Sequence, residues 1–352
     1  MVGWPNRRFV DLVGCEHPIV QAPMAGAGGV ELCLAASEGG ALGSLPCGML
    51  SPAQISEQVA TVRGRTPAPI NLNFFCHKMP EPADDSSWRR LLRPYFEALD
   101  IDEPPPSPLR LPFDEDACAV IEELKPAVVS FHFGLPDADL LARVKATGAV
   151  VIGNATSVEE ARWLEARHVD AIIAQGFEAG GHTGRFLGAD PAETLGLFSL
   201  VPAIVDAVAV PVIAAGGIFD GRGIAAALML GASAVQLGSA YLHSPESLLA
   251  DGQREMLAQR PTLFTNIYSG GLARAVRGRL IEEIGGIRSD APPYPLAGAV
   301  TMPLMRAAIE RGDYELLPNL AGQSAIKGQR LPAAELTRKL AAEALAILEG
   351  GA

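Results

Sequence analysis

Short runs of apolar, often β-branched residues alternate with stretches whose apolar positions recur at helical spacing, and this alternation runs through most of the chain. Eight such runs read as strands: "PIVQAPM" (18–24), "GALGSL" (40–45), "APINLNFF" (68–75), "AVVSFHFG" (127–134), "AVVIGNA" (149–155), "DAIIAQG" (170–176), "PVIAAGG" (211–217) and "SAVQLGSA" (233–240). Continuous apolar runs flanked by helices are the pattern of parallel strands covered on both faces. The segments between them carry helix signals. "TSVEEARWLEARHVD" sets Ser157 before Glu160 at capping-box spacing and puts Ala161 and Leu164 on one face. "GRGIAAALMLGA" runs to Gly231, and Leu336, Leu340, Ala344 and Ile347 repeat at helical spacing after Pro332. The alternation predicts an α/β fold, a (β/α)8 TIM barrel. A doubly wound open sheet is the alternative, but no G-x-G-x-x-G follows the first strand.

Two stretches break the repeat. Residues 77–112 are polar and proline-rich and read as an excursion over the top or side of the barrel. Residues 245–318 hold helical patches broken by glycine and proline, and read as a smaller, mainly helical domain inserted on the substrate side. The expected division is 1–244 with 319–352 for the barrel and 245–318 for the insertion.

Composition narrows the function classes. At 352 residues, 49% of them hydrophobic, the chain can bury a large core. A net charge of −12 disfavours a nucleic-acid surface, so an anionic small molecule would have to bind through local donors. Cys15, Cys33, Cys47, Cys76 and Cys118 are scattered and show no C-x-x-C spacing, which argues against a disulfide framework or a metal site. No run reaches the roughly 20 apolar residues of a membrane span. The N-terminus lacks a signal-peptide pattern, so a soluble cytoplasmic protein is expected.

The site of a barrel lies at the C-terminal ends of its strands. There the chain places Ala22, Pro23 and Met24 after the first strand, and Asn71 and Asn73 on one face of the third. His132 ends the fourth strand, and Gln175, Gly180, Gly181 and His182 follow along the sixth. Gly216 and Gly217 follow the seventh; Gln236, Leu237, Gly238 and Ser239 close the eighth. Glycines after the last two strands bare main-chain N–H groups where barrels usually bind phosphate, and helix N-termini favour anions. Tight βα turns are the alternative. The neutral amides of Gln21, Asn71, Asn73 and Gln175 suit the edge of a flat heteroaromatic ring such as a flavin. For the two asparagines, a buried core amide pair is the alternative. His132 and His182 are the candidates for proton or charge chemistry, against a reading as hydrogen-bonded core residues. The glycines around His182 suggest a ring exposed to a bound ligand.

"VQAPMAG", "ALGSL", "PINLNFFCH", "SFHFGLP", "AQGFEAGGHTG", "PVIAAGGI" and "QLGSAYL", in this order, resemble the nitronate monooxygenases, formerly 2-nitropropane dioxygenases. The resemblance runs from about residue 18 to 242 and returns more faintly at "SGGLARAVRGRL" and "LAGQSA"; "SFHFG" with "EAGGH" looks like the first class of that family. It implies a barrel holding FMN, with a second domain over the flavin face. The implied reaction is oxidative denitrification of alkyl nitronates, such as propionate 3-nitronate, with O2 to carbonyl compounds and nitrite. By motif match His182 would be the catalytic histidine and His132 would help position the nitro group. Asn73, Gln175, Gly180, Gly217 and the Gln236–Ser239 turn would bind FMN, with Met24 beside the ring. The chain departs from the family pattern at "AGGVEL", at Leu320 before "AGQ" and at "SGGLAR", in or near the substrate side. The partners implied are a nitronate or nitroalkane and O2, with no nucleic acid or membrane, and a homodimer is left open. Two other readings stand beside this one: an FMN-dependent NAD(P)H enoyl or quinone reductase, and a non-catalytic ligand-binding barrel.

Overall fold

The computed structural model describes residues 3–101, 107–188 and 193–350. Its strands are β1 (Ile19–Gln21), β2 (Gly43–Pro46), β3 (Ile70–Phe75), β4 (Val128–His132), β5 (Val150–Ala155), β6 (Ala171–Gln175), β7 (Gly181–His182), β8 (Val212–Ala215), β9 (Ala234–Leu237), β10 (Thr262–Thr265) and β11 (Ala273–Val276). Eight of them form a parallel sheet in the order β1-β9-β8-β6-β5-β4-β3-β2, and a parallel bridge between Val20 and Leu42 joins its two ends into a barrel. Each run that reads as a strand supplies one stave, so the α/β barrel is the fold.

Alternation along each stave sorts the side chains. Val20, Leu42, Val128, Ile152, Ala171, Ile173, Ile213, Ala215 and Ala234 pack in one buried cluster with Phe9 and Val13 of the Arg8–Val13 helix, filling the barrel from its N-terminal end. The alternate residues, among them Leu72, Phe74, Val129, Phe131, Ile172 and Leu237, face outward into the main core under the helices. Two or four residues beyond the inward apolar positions the same direction carries polar side chains: His132 after Val128, Asn154 after Ile152, Gln175 after Ile173 and Gln236 after Ala234. The barrel therefore turns from apolar to polar along its axis, within strands whose overall composition is apolar.

A second core lies beyond the mouth. Trp88, Leu92 and Phe96, one helical turn apart on the Ser86–Ala98 helix, pack with Ile267, Tyr268, Val300, Leu304 and Leu317. The proline-rich excursion thus contributes a helix to the same core as residues more than 160 positions away. The small sheet β10-β11-β7 is antiparallel, and its third strand comes from the loop after β6. Its buried Arg274 donates to the Phe177 carbonyl and packs against both the Phe177 and Phe264 rings, at 4.8 and 4.1 Å from their centroids. Such cation–π contacts hold a desolvated guanidinium without an ion pair. No helix among the described residues is long and apolar enough to cross a membrane.

Candidate functional site

A cavity of about 500 Å³ opens at the C-terminal ends of the staves and runs between the barrel mouth and the second core. Of the residues expected at the site, Ala22, Pro23, Met24, Asn73, His132, Gln175, Gly180, Gly181, His182, Gly216, Gly217, Gln236, Gly238 and Ser239 line it. Asn71 and Leu237 do not. Asn71 shares a face with Asn73 but lies two residues lower in the strand, about 7 Å down the barrel. There it is buried, with Nδ2 donating to Ser44 Oγ at 3.0 Å. Leu237 faces outward by alternation and belongs to the main core. Gln21 is likewise off the cavity lining: it is buried, and its Oε1 accepts the Ser44 N–H at 2.8 Å, bracing β1 against β2.

The loop carrying His182 is built by hydrogen bonds that converge on its main chain. Gln175 Nε2 donates to the His182 carbonyl at 2.9 Å, and Gln175 Oε1 accepts from the Gly184 N–H at 2.8 Å and from Asn154 Nδ2 at 3.1 Å. His132 Nε2 also reaches the His182 carbonyl, at 3.2 Å. A carbonyl only accepts, so the neutral His132 ring carries its proton on Nε2 and its lone pair on Nδ1. A Cβ at Gly184 would lie 2.3 Å from Asn154 Nδ2 and 2.5 Å from the His132 ring, so this contact requires glycine. Downstream, the buried Glu160 carboxylate accepts from Thr156 N, Thr156 Oγ1, Phe186 N and Leu187 N at 2.7–3.2 Å. The Ser157 hydroxyl does cap its helix, accepting from Glu160 N at 3.2 Å, while the glutamate side chain anchors the loop.

His182 is less exposed than its glycine neighbours suggest. Gly181 and His182 form β7 and pair with Arg274 and Ala273 of β11, so the residue is a strand position stitched to the second core. Its Nε2 meets Ser269 Oγ at 2.7 Å, and its ring lies 5.3 Å from Tyr294 and 6.1 Å from Phe133, centroid to centroid. Phe133 holds a positive φ of 67°, unusual for a bulky residue, and its ring also contacts His132, Tyr294 and His77. Burial pushes His132 down to about 4, partly opposed by its bond to the His182 carbonyl. His182 is held well below the ordinary histidine range by burial, then by the charge of Arg110 and by His132 and His77. Both rings are neutral near pH 7. A neutral imidazole can accept a proton and cannot supply a positive charge.

The helix Gly221–Met229 does not offer its N-terminus to the cavity: Asp220 Oδ1 accepts from Gly223 N at 3.0 Å and Glu343 Oε2 from Gly221 N at 3.1 Å. The donors left at that end of the cavity belong to loops. Gly216 and Gly217 have φ of 129° and 67°, conformations that favour glycine, and Gly238 and Ser239 line the cavity with them, whereas the Gly322 N–H and the Ser324 hydroxyl are already given to Ser239 Oγ and the Gly217 carbonyl. Gln236 Oε1 is buried there without a hydrogen-bond partner, an acceptor left for a ligand donor.

The model of the nitronate monooxygenase family matches residues 6–343. The chain belongs to the nitronate monooxygenase family. It is 41% identical to a nitronate monooxygenase of Paraburkholderia phytofirmans, over 96% of this chain and 95% of that one. It is 40% identical to a nitronate monooxygenase of Pseudomonas aeruginosa, over 96% and 98% of the two chains. In structure it resembles a nitroalkane oxidase from Streptomyces ansochromogenes, with a TM-score of 0.91 and 36% identity over 98% of this chain and 100% of that one. FabK from Thermotoga maritima is more distant, at TM-score 0.76 and 29% identity over 97% of each chain. As a member of the nitronate monooxygenase family the protein is an oxidoreductase acting on small molecules.

Several residues of this family member's cavity were not read from the sequence. Asn154 was available, as a polar residue near the end of an apolar strand. Arg110, Ser269 and Tyr294 carry no local signal, because contacts between distant segments bring them to the mouth.

Proposed function

We propose that the protein is an FMN-dependent nitronate monooxygenase of the cytoplasm, converting alkyl nitronates and O2 to carbonyl compounds and nitrite. The observation that carries this reading is the His182 imidazole, held at the seam between barrel and second core and lining one cavity with the amides of Asn73, Asn154, Gln175 and Gln236 and a run of glycines. The residues fit a flavin mononucleotide. The partnerless Gln236 Oε1 can accept from a ring N–H, and the Gln236–Ser239 turn with Gly180, Gly216 and Gly217 offers main-chain donors to a phosphate. Asn73 is committed elsewhere, its Nδ2 donating to Ser130 Oγ at 3.0 Å, so only its carbonyl oxygen is free for a ring donor. Met24 and the adjoining Ala22 and Pro23 supply apolar contact.

Bound there, the flavin would supply electron acceptance from the substrate and transfer to oxygen. The protein's own groups do the rest. His182, neutral and hydrogen-bonded to Ser269, would take the α-proton of a neutral nitroalkane and give a polar contact to a nitronate. His132 would orient the nitro group beside it. The aromatic wall of Phe133, Tyr294 and Phe75 keeps bulk water from the rings.

The test is nitrite release from propionate 3-nitronate or a nitroalkane anion, by yellow purified protein under air. No nitrite from flavin-loaded protein removes this reading. Rapid anaerobic bleaching by NADH would instead favour a reductase on the same barrel, the reading to which the FabK likeness gives weight.

A further inference from the structure

Arg110 and Arg306 are the only formally charged residues among the described residues lining the cavity, and no acidic side chain lines it. In a chain of net charge −12 this is a local reversal of sign. Arg306, on the helix Leu296–Glu310, is exposed. Arg110 lies deeper, beside the histidines. Its Nη1 donates to Tyr294 Oη at 3.3 Å, its Nη2 to the Met49 sulfur at 2.9 Å, and its guanidinium lies 5.0 Å from the centroid of Phe75. Its carbonyl accepts from His77 Nε2 at 3.1 Å, which fixes the segment that carries it.

All these partners are neutral. Arg65, Arg143, Arg260, Arg279 and Arg288 each hold a carboxylate, whereas Arg110 forms no ion pair among the described residues. Its charge is felt around the site: it lowers His77, His132 and His182, in each case after the larger effect of burial or with it. With both catalytic-side imidazoles neutral, Arg110 is the fixed positive charge beside the reacting end.

We propose that Arg110, steadied by Tyr294, is the anion-recognition residue of this cavity and takes the paired oxygens of a nitronate. This rests on the monooxygenase reading for the identity of the ligand. A nitronate is planar at carbon and nitrogen and shares one negative charge between two oxygens, so it presents to a guanidinium the same fork as a carboxylate. A neutral nitroalkane lacks that charge. Arg110 therefore selects the anion, while His182 serves the neutral acid.

Isothermal titration with isobutyrate, an inert planar-headed anion of the size of the 2-nitropropane anion, reads this without turnover. The wild-type protein should bind isobutyrate and not isobutyramide. Arg110→Met should weaken isobutyrate about 10–100-fold, the range for losing a charged hydrogen-bond partner, and Arg110→Lys should fall between. KM for the 2-nitropropane anion should rise by the same factor, with kcat changed less than about threefold and flavin content kept. Equal isobutyrate affinity in wild type and Arg110→Met, or equal binding of acid and amide by wild type, overturns the proposal. If Arg110→Met misfolds, Arg110→Lys decides: affinity equal to wild type means that the bidentate fork is not used, and overturns it. Wild type that binds isobutyrate through Arg110 yet releases no nitrite would remove the monooxygenase reading and leave the anion site standing.

Discussion

The barrel mouth and the second core hold the two sides of one cavity by different means. On the barrel side, polar side chains are tied to nearby main chain: Asn73 to Ser130, Gln175 to His182 and Gly184, Glu160 to Phe186 and Leu187. These bonds fix backbone, and the backbone fixes the histidines. On the other side, Ser269 and Tyr294 ride on segments packed on an apolar core shared between residues 86–101 and 267–317, while the segment of Arg110 is held from both sides, by His77 at the Arg110 carbonyl and by Ser107 N donating to the Ala299 carbonyl. That side contributes hydroxyls, aromatic cover and charge, and almost no main-chain scaffolding beyond the pairing of β11 with β7. The difference teaches that rigidity and electrostatics of the site are separable, and that mutations should divide accordingly.

The largest effect is expected at the seam. His182→Asn keeps a polar side chain and removes the base, so turnover of neutral nitroalkanes should fall about 10²–10⁴-fold with flavin retained. Turnover of preformed nitronates should fall much less. Equal losses on both substrates, measured by nitrite release, would assign the residue to the scaffold.

Trp88→Ala strikes the second core without touching the barrel. Loss of a buried large aromatic costs about 3–5 kcal/mol, and Trp88 is fully buried in the second core. Hydrogen exchange should rise over 86–101 and 296–317 while the barrel strands stay protected, and nitronate KM should rise as Tyr294, and with it the Tyr294–Arg110 bond, loosens. Uniform loss of protection across both regions would show that the two cores unfold as one unit.

The smallest effect separates the histidines by pH. His132 titrates near 4 in the folded chain against an ordinary value of 6.5. The unfolded chain therefore binds the proton first as pH falls, and stability present above pH 6.5 is lost between about 6.5 and 4. That one group accounts for up to about 3 kcal/mol. Denaturant unfolding at pH 7 and pH 4.5 measures it. His132→Gln should shrink the difference, and an unchanged difference would assign the acid sensitivity to other groups, His182 first.

Much of this was legible before any coordinates. The eight apolar runs mark the eight staves because strands buried on both faces leave a continuous apolar signature that loops and amphipathic helices do not. Polar residues at the ends of those runs, such as His132 and Gln175, marked the mouth for the same reason: an apolar run tolerates a polar terminus where the strand leaves the core. Asn71 and Asn73 look alike in sequence because they share one face of a strand, while one layer of depth puts Asn73 and not Asn71 on the cavity. The proline-rich 77–112 segment concealed a helix whose Trp88, Leu92 and Phe96 spacing is helical, but whose partners lie far along the chain.

Sequence by itself determined the barrel, its polar rim and the pair of histidines, because these follow from local alternation and from the burial of each strand's own side chains. Tertiary structure alone decided that His182 is a strand residue of a second sheet, that its ring is walled in by Tyr294 and Phe133, and that Arg110 brings a half-buried positive charge to the cavity. Those contacts join residues 49 to 184 positions apart. No local pattern encodes them, since each segment's apolar face could satisfy itself against many partners and only the packed second core selects one.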